Sequence, residues 1–310
     1  KTAYEISTRD WSSDVCSSDL EFRKILHTKC KDFVKSPKLL QRSKNSEGPE
    51  FSYINPKSFE RAPLKKSDRF TDGVESRHHT LLMDNLPSWK DFPKRSQSVI
   101  GLTSEDPRVI FGFHRYLIIP FDGAKFGVAP SSDLWGCKVD ITDYRPLTTD
   151  PTFSFDDFFS EMMVMNKVSD NSYSEMMSDL QNLYGEYKSL LIYPPVKKTN
   201  HFLNSPGSKS TDWLIHLIPL FKKFDQSKFE KVEDGFNHFF APNRFKGTDL
   251  DEQEGFQVMD WKYLSSLGSY ETYEFWTDSE CLLWYIGKTD RGSVIEEAYN
   301  SFISDFIINK

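Results

Sequence analysis

Long apolar runs are missing from this chain. A bilayer-spanning helix needs roughly 20 consecutive apolar residues. The longest candidate, Trp213 to Phe221, is about half that length and carries His216 and Pro219, so no membrane association is expected. Clustered cysteine is missing too. The four Cys, at 16, 30, 137 and 281, form no CxxC pair and have no zinc-site spacing. Scattered thiols suit a reducing compartment, which points to the cytoplasm. No GxGxxG follows a strand, and there is no Walker loop, HExxH or GxSxG. Rossmann-type nucleotide binding, P-loop chemistry, zinc proteolysis and the nucleophile elbow therefore have no signature here. Excess positive charge is absent as well. The chain holds 39 Lys and Arg against 46 Asp and Glu, a net charge of −7. A broad electrostatic footprint for nucleic acid is excluded, while a local basic patch stays open.

What is present is core material. Hydrophobic residues make up 38% of the 310 and aromatics 15%, which argues against wholesale disorder. Residues 1–20, KTAYEISTRDWSSDVCSSDL, are rich in Ser and Asp and lack the apolar centre of a signal peptide. They resemble the translated read-through of a sequencing adapter, a natural disordered tail being the alternative. Either way the fold is expected to begin near Glu21, as a single domain over 21–310, and Cys16 is set aside.

Apolar spacing predicts a short helix over 21–34, stopped by Pro37. Leu39 to Arg42 reads as a strand, Ser43 to Asp72 as loop, and Thr80 to Met83 as a strand or buried turn. SQSVIGLT (96–103), YLIIP (116–120) and 124–128 read as strands, with a turn at Phe121-Asp122-Gly123. Helical spacing runs over 153–168, 173–191, 213–224 and 229–239, making a helical block from about 153 to 240. The Met and Phe residues of that block suit a packed core or an interface. Strands return at 256–259 and 273–286, and an amphipathic helix occupies 293–308. Strands, a helical block, then strands favour an α+β fold over a βαβ repeat.

Several eye-catching groups have plain roles. His78 and His79 would face opposite ways in a strand, a poor arrangement for joint metal ligation. Asp156-Asp157 at a helix start complements the helix dipole. Glu296-Glu297 fits a solvated helix face. No metal site is expected.

Three segments invite a joint reading: KLLQRSKN (38–45); FPKRSQSVIGLTS (92–104) with FGFHRYLIIPFDGAKFGVAPSSDLWG (111–136); and YETYEFWTDSECLLWYI (270–286). Together they resemble ADP-ribosyltransferases of the Arg-Ser-Glu class, above all the divergent, mostly phage-encoded members. That class has an Arg on its first strand, often within LYRG, then a Ser/Thr strand of the form STS. A late-strand Glu precedes a hydrophobic strand. The divergent members carry PKRS-x-S-I-I before the Ser/Thr strand and a segment similar to VIPFDGAKIGVCPSxDxW after it. The likeness covers about 30–136 and 250–286 and is most specific from Lys94 to Trp135.

The resemblance implies two small facing antiparallel sheets forming an NAD cleft, with the helical block as an insertion. It implies transfer of ADP-ribose from NAD, as substrate, to a macromolecular acceptor such as a host protein, with nucleic acid not excluded. Arg42 matches the Arg that grips NAD phosphate and ribose, a task suited to the guanidinium fork. Thr103 and Ser104 match the second and third positions of STS, Ser98 lies upstream, and Leu102 stands where the first Ser would be. Glu274 matches the catalytic Glu. The pair Glu252 and Glu254 is a rival, set second because an apolar strand follows Glu274 directly. Thr272 replaces the Glu or Gln that arginine-modifying members carry two residues earlier. Phe126, Trp135 and Tyr116 could stack on nicotinamide or fill the core. Singly, Arg42 could be a surface residue, Thr103 and Ser104 a helix cap, and Glu274 an exposed strand residue. Water as acceptor would make an NAD glycohydrolase. The other functions in view are an inactive relative that binds a protein, and a virion-associated structural module.

Overall fold

The computed structural model describes residues 11–44, 47–58, 78–104, 113–140, 152–154, 168–192, 213–247, 255–268, 272–288 and 294–308. The described strands are β1 (Gln41–Lys44), β2 (Phe51–Ile54), β3 (Val99–Leu102), β4 (His114–Pro120), β5 (Lys125–Val128), β6 (Lys138–Asp140), β7 (Thr152–Ser154), β8 (Phe245–Lys246), β9 (Gln257–Asp260), β10 (Glu274–Thr277) and β11 (Cys281–Lys288). Eight of them form one antiparallel sheet in the order β2-β11-β4-β1-β3-β10-β5-β9. The other three form a small sheet, β7-β6-β8. The fold is α+β, as expected. The sheets, however, are one large and one small rather than two small ones, because β3 pairs with both β1 and β10 and joins β2-β11-β4-β1 to β10-β5-β9.

The described helices are α1 (Trp11–Lys29), α2 (Lys31–Lys35), α3 (His78–Asn85), α4 (Tyr173–Ile192), α5 (Trp213–Gln226), α6 (Val232–Phe239), α7 (Trp261–Ser266) and α8 (Val294–Ile303), the last continuing into a wide turn over Ser304–Ile308. Among the described residues no helix is long and apolar enough to cross a membrane. Local sequence accounts for their ends and faces. Asp260 caps α7 by accepting the Tyr263 N–H at 3.1 Å. α6 places Glu233 and Asp234 in its first turn, against the positive end of the helix dipole. Its Val232, Phe236 and Phe239 share a buried stripe. Gly235 sits inside that helix because a Cβ there would lie 2.6 Å from the Phe224 ring.

Two apolar cores result. One gathers Phe22, Phe33, Phe126, Phe275, Trp284 and Phe302 from α1, α2, α8 and the large sheet. The other gathers Trp89, Leu180, Tyr184, Phe221, Phe236 and Trp276 from the helical block and the strand β10. β10 is buried along its whole length and serves both. Phe275 belongs to the first core and its neighbour Trp276 to the second, as strand alternation requires. Complete burial of a side chain such as Phe275 contributes about 1.5–3 kcal/mol.

Four local expectations change. Thr80 to Met83 belongs to α3, a helix. A short apolar run cannot distinguish strand from buried helix by period alone, and the flanking His78 and Asn85 extend the helix. The Lys- and Ser-rich stretch read as loop contains β2, which pairs with β11. The helical block is shorter at its start than 153, since Thr152–Ser154 is a strand against β6, and residues 155–167 lie outside the described residues. The strand read over 96–103 begins only at Val99, after a single 3-10 turn over Arg95–Gln97.

Candidate functional site

The register across the middle of the large sheet sets the site. Gln41 on β1 lies opposite Leu102 on β3, and Leu102 lies opposite Glu274 on β10. Directly paired residues point to the same face, so Gln41, Leu102 and Glu274 form one row, on the face that Trp276 shares. The backbone of Glu274 is fixed on its other side. Its N–H donates to the Ser131 carbonyl at 2.9 Å, and its carbonyl accepts the Ala129 N–H at 2.8 Å.

Residues 129–134 curl round this strand and bring the Leu134 N–H to Glu274 Oε2 at 3.1 Å. The other carboxylate oxygen, Oε1, accepts from Arg95 Nη2 at 2.5 Å. This ion pair is enclosed, with side-chain exposures of 5% for Arg95 and 10% for Glu274. The guanidinium also lies 5.3 Å from the centre of the Trp276 ring, a cation–π contact. Trp276 in turn donates its indole N–H to the Pro93 carbonyl at 2.9 Å and stacks on Phe92. The segment PKRS therefore places Arg95 through its own flanking residues.

The hydroxyls named from sequence act next door. Thr103 Oγ1 accepts the Tyr273 N–H at 2.9 Å, and the Thr103 N–H donates to the Tyr273 carbonyl at 3.0 Å. The Ser104 hydroxyl is hydrogen-bonded to that of Thr272. Gln41 donates its amide N–H to the Ser104 carbonyl at 2.5 Å. Thr103 and Ser104 thus clamp the two residues ahead of Glu274 and set where β10 begins, while the carboxylate itself is held by Arg95 and Leu134.

Other expected residues lie elsewhere. Arg42 is opposite Tyr116 on β4, and alternation along β1 turns it to the face opposite Gln41 and hence opposite the Glu274 row. Burial lowers its pKa, an effect opposed by Cys281, and Arg42 in turn helps to lower that of Lys44. Ser98 donates its hydroxyl to the Lys94 carbonyl at 2.7 Å, closing the turn over Arg95–Gln97. Phe126 is wholly buried against Trp261 and Phe275, so core filling, not an exposed stacking face, is its role. Tyr116 is buried as well. The side chain of Trp135 and both rival carboxylates, Glu252 and Glu254, lie outside the described residues.

No family model, curated protein or solved structure matches this chain.

Arg95 is the site residue that sequence reasoning passed over. It stands in the PKRS segment at the start of a 3-10 turn, where no strand or helix period marks a buried side chain. The available signal was a cation next to an apolar strand that pairs with an acidic one. His78 and His79 are buried in α3, and His78 Nε2 meets the Val168 carbonyl at 3.0 Å. Burial pushes the His78 pKa down. Among the described residues no cluster of three or more His, Cys, Asp or Glu could hold a metal ion.

Chemically the arrangement offers one carboxylate in a fixed orientation. A carboxylate carries about four lone-pair directions, so Glu274 can accept further hydrogen bonds beyond those from Arg95 and Leu134.

Proposed function

We propose that this protein transfers ADP-ribose from NAD to a macromolecular acceptor, with Glu274 as the central group. The observation that carries the reading is the buried Arg95–Glu274 pair at the start of β10, on the strand and at the residue where the resemblance calls for its catalytic carboxylate. Burying two charges is a poor route to stability, since the desolvation cost offsets most of the attraction. Its placement between the Ser/Thr strand and the apolar strand is better explained by chemistry than by folding.

Breaking the bond between nicotinamide and ribose builds positive charge at the anomeric carbon, as in glycoside hydrolysis. A carboxylate that accepts from a ribose hydroxyl stabilises that charge more in the transition state than in the ground state. Glu274 takes this role. Arg95 and the Leu134 N–H position it, and Thr103 and Ser104 act one step back through Tyr273 and Thr272. The reading assigns no phosphate to Arg42, which lies on the other face of β1.

The test is incubation with NAD labelled in its adenylate half and a bacterial lysate, comparing wild type with Glu274→Gln. Labelled acceptor is expected with wild type only. Equal labelling by both would remove Glu274 from catalysis, and loss in Glu254→Gln alone would move the role there.

A second reading is an inactive relative acting as a binding module. It is favoured by Leu102, which leaves no hydroxyl opposite Glu274, and by the engagement of both carboxylate oxygens. It predicts NAD binding by calorimetry with no turnover.

A further inference from the structure

The segment from Phe22 to Lys44 carries charge of the opposite sign to the chain as a whole. Between Phe22 and Lys44 there are eight Lys or Arg and one acidic residue, Asp32, within a chain of net charge −7. α1 and α2 meet at Cys30, whose φ of −120° and ψ of 39° interrupt the helix. The Cys30 N–H closes α1 on the Leu26 carbonyl at 3.1 Å, the Val34 N–H opens α2 on the Cys30 carbonyl at 2.9 Å, and the Asp32 N–H beside the break donates to Asp122 Oδ1 at 2.8 Å. Arg23 and His27 lie one turn apart on α1, and Lys31 and Lys35 one turn apart on α2, each pair about 6 Å along its axis.

These four side chains and Val34 line a groove of about 720 Å³. Its near end is anchored. The Arg23 guanidinium lies 4.5 Å from the centre of the Phe306 ring, and His27 Nε2 meets the Phe306 carbonyl at 3.1 Å. At the far end Lys31 and Lys35 are exposed, and among the described residues neither pairs with an acid.

We propose that this groove binds the phosphate backbone of a nucleic-acid strand. Three cations, Arg23, Lys31 and Lys35, set along a concave track match a linear polyanion. A flat lipid surface would meet the rims of such a track before its charges. The aromatic rings beside it, Phe22 and Phe306, are 0% and 8% exposed. Neither of these rings is therefore offered for base stacking, and the contact is to the backbone without regard to sequence. This surface is independent of the NAD reading, since it uses none of the groups around Glu274.

The test is fluorescence anisotropy with a labelled, mixed-sequence, single-stranded DNA of about 20 nucleotides, titrated with the full chain over a range of salt. Two or three neutralised phosphates give a log–log salt slope of about −1.5 to −2 for a single strand. The double variant K31E/K35E is expected to weaken binding by about tenfold or more and to flatten that slope. The neutral K31Q/K35Q should fall between it and wild type. K90E/K222E changes the net charge equally at exposed positions elsewhere and should shift binding less than about threefold. No binding at low salt would overturn the proposal, as would equal losses in the two charge-reversed variants. Capture of phosphatidylserine vesicles or polyglutamate, but not the oligonucleotide, in a K31/K35-dependent way would also overturn it.

Discussion

The two faces of β10 differ in kind. One carries Phe275, packed with Phe126 in a wholly apolar core. The other carries Trp276 and, two residues back, Glu274, with Arg95 tied to both. Each face is enclosed by a large aromatic core. The apolar face explains why the strand is there. The charged face does not follow from folding, because a buried pair returns little stability for the hydration it gives up.

The sharpest way to break this contrast is to erase it. Arg95→Met alone leaves Glu274 enclosed and unpaired, and unfolding by denaturant should show a loss of about 3–5 kcal/mol. Arg95→Met combined with Glu274→Met makes both faces apolar, and should recover most of that loss while NAD turnover stays absent. A double variant as unstable as the single would mean that the pair is structural.

Next in size is Gly127→Ala on β5. A Cβ at Gly127 would lie 2.2 Å from the Trp276 ring, and overpacking of this kind costs about 1–3 kcal/mol. The displaced indole should also disturb Arg95, so turnover should fall alongside the melting temperature.

Leu102→Ser sharpens the contrast instead. It places a hydroxyl across from Glu274 at a half-buried position, with a stability loss of about 1 kcal/mol. If the missing hydroxyl limits the chemistry, labelling of the acceptor should rise.

The smallest effect tests the apolar side. Burial pushes the thiols of Cys30 and Cys281 up to about 12 and raises that of Cys137 as well. In a Cys16→Ser chain at pH 8, a thiol reagent should find these groups silent in the native state and reactive once the chain unfolds. Prompt reaction of Cys281 would show that this core opens.

Much of the large sheet could be read in advance because its strands announce themselves. YLIIP is β-branched, aromatic and closed by Pro, and it is most of β4. The Phe-Asp-Gly turn leads into β5 as its residues suggest, and the period of 173–191 is that of α4. β2 was hidden because a strand at the edge of a sheet can be half exposed, and Phe51–Ile54 sits in a stretch dominated by Lys, Ser and Pro. α3 was misread because its four central residues are too few to show a period. At the site, the nearness of Glu274 to Thr103 and Ser104 could be expected from the resemblance, and it arises because β10 pairs with β3, which ends just before Thr103. The partner of Glu274 could not. Pairing across strands depends on register, and a one-residue shift decides which side chain of KLLQRSKN shares the row. That register selects Gln41 and turns Arg42 away, leaving the guanidinium to come from Arg95, which is on no strand at all.

Gly101 lies one residue before Leu102, on the reverse face of β3. A Cβ there would fall 2.6 Å from the Gln41 carbonyl oxygen and 2.6 Å from Ile118 Cδ1. β1 and β3 can lie close only because nothing projects from that spot. Position 101 is thereby closed to any larger side chain, while position 102 beside the carboxylate accepts a leucine. Innovation in this strand has a single door, and it opens on the side where Glu274 stands.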